Sequence, residues 1–181
     1  MEHHVRIWTI GHSTRSLEEF PELLAPHGIE AIADVRRHPG SRRLPHFSRD
    51  AFAASLEEAR IAYAHFPELG GRRSPRPDSP NAAWRNDAFR GYADYMATDE
   101  FHAGIARLLD LAQRAPTAYM CAEALWWQCH RRLISDDLKA AGHEVIHILG
   151  SGKTEIHPFT PPARIVDGRL TYAPEPDLLE P

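Results

Sequence analysis

Apolar positions in this chain fall into short runs with the length and period of buried strands, separated by stretches with helical spacing. "VRIWTIGH" reads as a buried strand, Val5 to Ile10, that breaks at Gly11. Ser16 with Glu19 three residues on carries a capping-box signature and opens a helix through about Pro26. "IEAIADV" is a second short apolar strand. "SRDAFAASLEEARI" then places Phe52, Leu56 and Ala59 at helical spacing behind Ser48, a candidate N-cap. "AYAHF" is a third strand, and the Pro-, Gly-, Ser- and Arg-rich stretch to about Arg85 reads as a long loop. A helical region from about Ala88 to Arg114 breaks near Thr98, an N-cap with Asp99 and Glu100 in the first turn. "TAYMCA" is the fourth strand, "HRRLISDDLKAAG" a helix stopped by Gly142, and "EVIHIL" the fifth strand. "PARIVDGRLTY" has the pattern of a small hairpin turning at Asp167-Gly168, and the acidic, proline-rich end "PEPDLLEP" is expected to be loose.

Strands alternating with helices imply an α/β fold: one three-layer domain over residues 1–181, with a mostly parallel five-stranded sheet. The core spans about 5–150, and the C-terminal hairpin and tail span 151–181. No internal repeat and no linker divides it. Ligands of such sheets bind outside the carboxyl ends of the strands. The segments just past those ends are Gly11-His12-Ser13-Thr14, Asp34-Val35-Arg36-Arg37, Leu69-Gly70-Gly71-Arg72-Arg73 and Cys121-Ala122-Glu123. They are expected to gather at one edge, so His12, Arg36, Arg72, Cys121 and Glu123 should share one pocket.

Composition sharpens this only in places. At 181 residues the chain can bury a core without staples. No apolar run approaches the roughly 20 residues of a membrane span, so no membrane partner is expected. The N-terminus lacks the basic start and long apolar stretch of a signal peptide, which points to the cytoplasm. There, two cysteines favour reduced, catalytic or metal-bound thiols over a structural disulfide. The net charge of −4 gives no general attraction to nucleic acid, but the distribution differs from the sum. Of the 21 basic residues only Lys139 and Lys153 are lysines. Arg36, Arg37, Arg42, Arg43 and Arg49 lie in a loop without an acid, and Arg72, Arg73, Arg76, Arg85 and Arg90 follow with only Asp78 and Asp87. Arginine forks suit phosphate or carboxylate. The competing reading is a solvated surface with its partners elsewhere.

Four motifs occur in a fixed order: "TIGHS" after the first strand, "DVR" after the second, "LGGRR" after the third, and "CAE" followed five residues later by "CHR". From about Ile7 to Leu149 the chain resembles the family called domain of unknown function 488, which implies an α/β fold and a shared site but no settled reaction. Where many relatives carry a Lys-Asp-Pro type of filler between "CAE" and "CHR", this chain has Ala124-Leu125-Trp126-Trp127-Gln128. A weaker likeness concerns the rhodanese fold, in which an Asp-Val-Arg follows one strand and a catalytic cysteine ends a later one. Rhodaneses place an arginine about five or six positions after that cysteine. Here the sixth residue after Cys121 is Trp127, and the first arginine is Arg131.

The candidate chemistry sits in this loop. Cys121 is either a nucleophile activated by a helix N-terminus and arginines, or the last buried residue of its strand. Cys129 begins a helix, where a thiol more often packs. Glu123, beside two tryptophans that would desolvate it, suits general acid or base work; otherwise it is a surface carboxylate or pairs with Arg36 or Arg131. His130 and His12 are candidates to assist it or to hold backbone carbonyls. Cys121, Cys129, His130 and His12 form no recognised ligand spacing, so neither metal nor cofactor is expected. Trp126 or Trp127 is a candidate base-stacking wall, against packing or a dimer interface. With Ser13, Arg36, Arg37, Gly70, Gly71, Arg72, Arg73 and Arg131 as substrate-binding candidates, the leading expectation is an enzyme acting on a nucleotide or nucleic acid. Glu123 would hydrolyse, for instance, an N-glycosidic bond. The alternatives are a rhodanese-like thiol enzyme using Cys121 and a non-enzymatic nucleic-acid-binding or regulatory module.

Overall fold

The computed structural model describes residues 3–40 and 42–177. Its centre is a six-stranded sheet of order β3-β2-β4-β1-β5-β6. The strands are β1 (Arg6–Gly11), β2 (Ala31–Asp34), β3 (Ala62–His65), β4 (Thr117–Cys121), β5 (Glu144–Gly150) and β6 (Lys153–Ile156). The first five pair in parallel, and β6 turns back antiparallel on β5 with a bulge between Ile148 and Gly150. That sixth strand was not expected. Lys153, Thr154 and Glu155 give it the polar composition that protects a sheet edge, in place of the apolar run that marks the other strands.

Among the described residues five α-helices cover the sheet: α1 (Glu19–Leu24), α2 (Arg49–Glu58), α3 (Asp87–Tyr95), α4 (Asp99–Arg114) and α5 (Arg131–Ala140). Period-2 alternation along the strands sorts the core into two clusters. Ile10, Ile32, Met120 and Ile148 face Phe20, Leu24, Phe52 and Leu56 of α1 and α2. Ile7, Ala33, Tyr119, Cys121 and Val145 face Tyr92, Phe101, Leu108, Leu133 and Leu138 of α3, α4 and α5. Local signals explain most helix starts. Thr98 Oγ1 accepts from Phe101 N–H at 3.2 Å, and Asn86 caps α3 through Phe89 N–H at 3.0 Å. Ser16 Oγ accepts from Glu19 N–H at 3.1 Å, but the helix it opens ends at Leu24 in a 3₁₀ turn stopped by Gly28 at φ +63°. Ser48 occupies the N-cap of α2 without a capping side-chain bond.

The hairpin β7 (Arg164–Val166) and β8 (Arg169–Thr171) turns at Asp167 and Gly168, both with positive φ. It brings Tyr172 down onto α5, where it is buried. Of the tail expected to be loose, residues 178–181 lie outside the described residues. Among the described residues no helix is long and apolar enough to cross a membrane.

Topology places the site. β1 and β4 are neighbours, yet β1 is followed by α1 on one face of the sheet and β4 leads to α5 on the other. Chain segments leaving adjacent strands in opposite directions open a crevice at their carboxyl ends.

Candidate functional site

The two crevice loops are stitched to each other by backbone. Gly11 lies opposite Cys121 in the sheet register. Beyond it, His12 N–H donates to Cys121 O at 2.9 Å and Ser13 N–H donates to Ala122 O at 3.0 Å. The approach requires glycine at position 11, since a Cβ there would stand 1.7 Å from the Glu123 carbonyl oxygen. Outside this seam lies a cavity of about 730 Å³. Residues from all four strand-end segments line it, including His12, Arg36, Arg72, Cys121 and Glu123, together with Cys129 and His130 at the start of α5 and Ala88 and Phe89 of α3.

The cavity floor is a pair of thiols. Cys121 Sγ and Cys129 Sγ are 2.7 Å apart and both cysteines are free. This is well outside the roughly 2.05 Å of a disulfide bond and close enough for one sulfur to donate to the other. Behind them Arg131, 1% exposed, directs Nε–H to Cys121 Sγ at 3.0 Å, while its backbone N–H reaches Cys129 Sγ at 3.3 Å. Burial alone would raise the Cys129 thiol. The hydrogen bond from Cys121 and the Arg131 charge and N–H groups outweigh it and bring Cys129 down to about 7. Cys121 moves the other way, pushed up first by burial and then by donating its proton to Cys129. The two sulfurs titrate as one coupled site, in which Cys129 ionises before Cys121. His130 donates from Nε2 to Val35 O at 3.0 Å, which leaves the Nδ1 lone pair facing Cys129 Sγ at 3.7 Å. Burial lowers its pKa, so it stands as a neutral acceptor. Gly71 leaves room for this ring: a Cβ there would come within 2.9 Å of Nδ1.

Arg131 is itself held by a buried chain of hydrogen bonds. Its NH1 donates to Thr9 Oγ1 at 2.9 Å, and Thr9 meets His147 Nδ1 at 2.7 Å. His147 Nε2 meets His157 Nδ1 at 2.8 Å, and His157 Nε2 meets Asp136 Oδ1 at 2.8 Å. Asp136 also accepts from Thr160 N–H, the Thr160 hydroxyl and the Tyr172 hydroxyl. Only one pattern satisfies every atom with neutral rings: each group donates toward Asp136, from Arg131 through Thr9, His147 and His157. Burial drives the His147 pKa down to about 2, which keeps that ring neutral. A cation at one end and a carboxylate at the other polarise the chain in one direction. Trp126 lies flat on His147, with ring centroids 4.4 Å apart, and covers that part of the chain.

Several sequence candidates take up other tasks. Arg36 is consumed by Asp34, through Nε to Oδ1 at 2.9 Å and NH2 to Oδ2 at 2.8 Å, and gives NH1 to Phe47 O. His12 uses both nitrogens, Nδ1 toward Ser13 O and Nε2 toward Arg36, and burial lowers its pKa to about 4. Arg131 faces the thiols rather than the open cavity. Arg73 lies on the Tyr95 ring and donates to Gly70 O, and Gly70 packs against the Arg37 backbone. Trp126 is buried, its Nε1 donating to Glu155 at 3.0 Å, and Trp127 is 41% exposed; neither lines the cavity. Glu123 does line it, exposed, while its carbonyl rather than its carboxylate holds Arg131 NH2 at 2.6 Å. Ser13 lies at the rim. Exposed arginines remain on the wall: Arg37, Arg43 and Arg72. Among the described residues no group of three or more His, Cys, Asp or Glu side chains is arranged to hold a metal ion.

Sequence reasoning passed over Asp136, His147, His157 and Thr9, and ranked Cys129 below Cys121. Two of these left a trace: His147 interrupts the apolar run "EVIHIL", and Asp136 falls on the buried face of α5. His157 left none.

Comparison with known proteins adds one finding. The family model described as Domain of unknown function DUF488 matches residues 16–138, and the chain belongs to that family. No match is found among the curated proteins or among the solved structures.

Proposed function

We propose that the protein is an enzyme in which the Cys129 thiolate attacks an electrophilic group on an anionic substrate. The observation that carries the reading is a cysteine on the wall of an arginine-lined cavity whose sulfur takes hydrogen bonds from Cys121 and the Arg131 backbone N–H, contacts that lower its pKa to about 7. A thiolate is the reactive form of cysteine, and a pKa near the working pH combines a useful thiolate fraction with good nucleophilicity. Arg131 carries the compensating charge from behind, where no substrate displaces it. In the fraction of molecules where Cys129 is protonated, His130 Nδ1 is the nearest basic nitrogen able to take its proton. Arg37, Arg43 and Arg72 supply the positive rim for a phosphate or carboxylate.

Hydrolysis of a nucleotide by Glu123 keeps one supporting observation, the carboxylate on the cavity wall. The tryptophans expected to flank that carboxylate do not: Trp126 turns inward and Trp127 stands outside the cavity. Glu123→Gln separates the readings, since it removes a base and leaves the thiol untouched.

The test compares alkylation of Cys129 by iodoacetate and iodoacetamide, which differ in charge. Relative to a free thiol, Cys129 should prefer the anion. The preference should shrink in high salt, where screening shortens to about 3 Å at 1 M, and in Arg72→Ala. Equal relative rates for the two reagents would remove the anionic-substrate half of the reading.

A further inference from the structure

We infer that Cys121 and Cys129 form one two-electron centre, in which Cys129 opens the S–S bond of an anionic disulfide and Cys121 resolves the adduct. This rests on the reading of Cys129 as the nucleophile and names the class of its substrate. Three features of the geometry carry it. The sulfurs are 2.7 Å apart, so their joining needs little movement. Both residues line the same cavity, so an adduct on one is within reach of the other. Arg131 serves both, its backbone N–H on Cys129 and its guanidinium Nε on Cys121.

A second thiol in that position is useful only for an adduct at the oxidation level of a disulfide, and the arginine rim suits an anionic disulfide better than a neutral peroxide. An acyl group on Cys129 would pass to Cys121 as another thioester, with no net progress. A phosphoryl group has no need of a second sulfur. A mixed disulfide is different, because attack on its Cys129 sulfur expels the substrate half and closes a stable product. The order of events follows from the same contacts. Cys129–S⁻ attacks R–S–S–R′, forming Cys129–S–S–R and releasing R′–S⁻. Consuming the thiolate removes the negative neighbour of Cys121 and leaves Arg131 Nε on its sulfur, which favours ionisation. Cys121 then gives up its proton and attacks Cys129 Sγ, yielding the Cys121–Cys129 disulfide and R–S⁻, and the proton leaves on one of the two product thiolates. Two electrons pass from the protein to the substrate, which departs as one thiol and one thiolate. Two external thiols restore the dithiol and become a disulfide themselves. A persulfide R–S–SH follows the same course when Cys129 attacks its terminal sulfur, releasing R–S⁻ first and hydrosulfide at the second step.

The probe is dithiobis(nitrobenzoate), an aromatic disulfide with two carboxylates whose leaving thiolate is coloured, added to the native full chain at pH 7. Two equivalents of colour should appear per chain, the second in a phase whose rate does not depend on reagent concentration. The intact mass should fall by two hydrogens with no adduct. Cys121→Ser should release one equivalent and keep one nitrothiobenzoate on Cys129. If that variant does not fold, the concentration dependence and mass of the wild-type chain decide alone. A wild-type chain retaining two adducts would overturn the resolving role and leave the nucleophile standing. Thiols silent in the native chain and reactive only after denaturation would overturn the Cys129 reading itself.

Discussion

Replacing Arg131 by methionine removes the positive charge behind the thiols while keeping an unbranched apolar side chain. In the native chain its guanidinium touches Cys121 Sγ at 3.0 Å, Thr9 Oγ1 at 2.9 Å and Glu123 O at 2.6 Å. The Cys129 thiolate would keep the backbone N–H of residue 131 and the Cys121 proton, and lose its counter-charge. An opposite charge at such range lowers an acid's pKa by about 1–3 units, so its loss should raise Cys129 from about 7 by that amount. A pKa of about 7 makes half of Cys129 thiolate at pH 7. After a rise of 1 to 3 units about 9% to 0.1% remains, which slows alkylation by roughly 5- to 500-fold. The assay is iodoacetamide trapping across pH 5–10, with Cys129 modification read by peptide mass. Unfolding is followed in parallel, because breaking a buried charge pair costs about 3–5 kcal/mol. A folded variant whose midpoint stays near 7 would show that Arg131 does not set the thiolate, and the electrostatic reasoning would fail.

Other outcomes follow from separate contacts. Gly11→Ala drives a Cβ into the Glu123 carbonyl, so it should cost at least the 1–3 kcal/mol of ordinary overpacking, read by denaturant unfolding, and slow Cys129 alkylation as the loop moves. Asp136→Leu strands donors from His157, Thr160 and Tyr172, and unfolding should register a loss of about 3 kcal/mol or more; a loss below 1 kcal/mol would mean the chain to Arg131 is not held from that end. Trp126→Phe keeps a ring over His147 but frees Glu155, for a loss of about 0.5–1.5 kcal/mol, whereas Trp127→Ala should stay within about 0.5 kcal/mol; the reverse order in thermal melts would contradict the packing described.

Much of the fold was legible because it is written in local pattern. Runs such as Ala31–Asp34 and Thr117–Cys121 are buried along their length, and no helix competes for so short an apolar segment. The edge strand Lys153–Ile156 was illegible because its stability comes from pairing with β5 rather than from its own side chains. The four strand-end segments could be located from the rule for parallel sheets, but the duties of their residues could not. Arg36 looks like a ligand arginine until Asp34, two residues earlier, folds back onto it. Trp126 looks like a pocket wall until His147, from another strand, lies beneath it. The difference between Cys121 and Cys129 depends first on the hydrogen bond between their sulfurs and then on the Arg131 charge and N–H groups, and the C-x7-C spacing carries no trace of that.

The claim on which the rest depends is that Cys129 is ionised near neutral pH. The direct measurement is the rate of its modification by iodoacetamide in the native chain, followed from pH 5 to 10 with Cys121 scored separately in the same peptide digest. The Cys129 midpoint should lie near 7, with Cys121 staying unreactive well above it. A Cys129 midpoint at or above about 8.5, the value of an ordinary cysteine, or a Cys121 that reacts first, would contradict that claim.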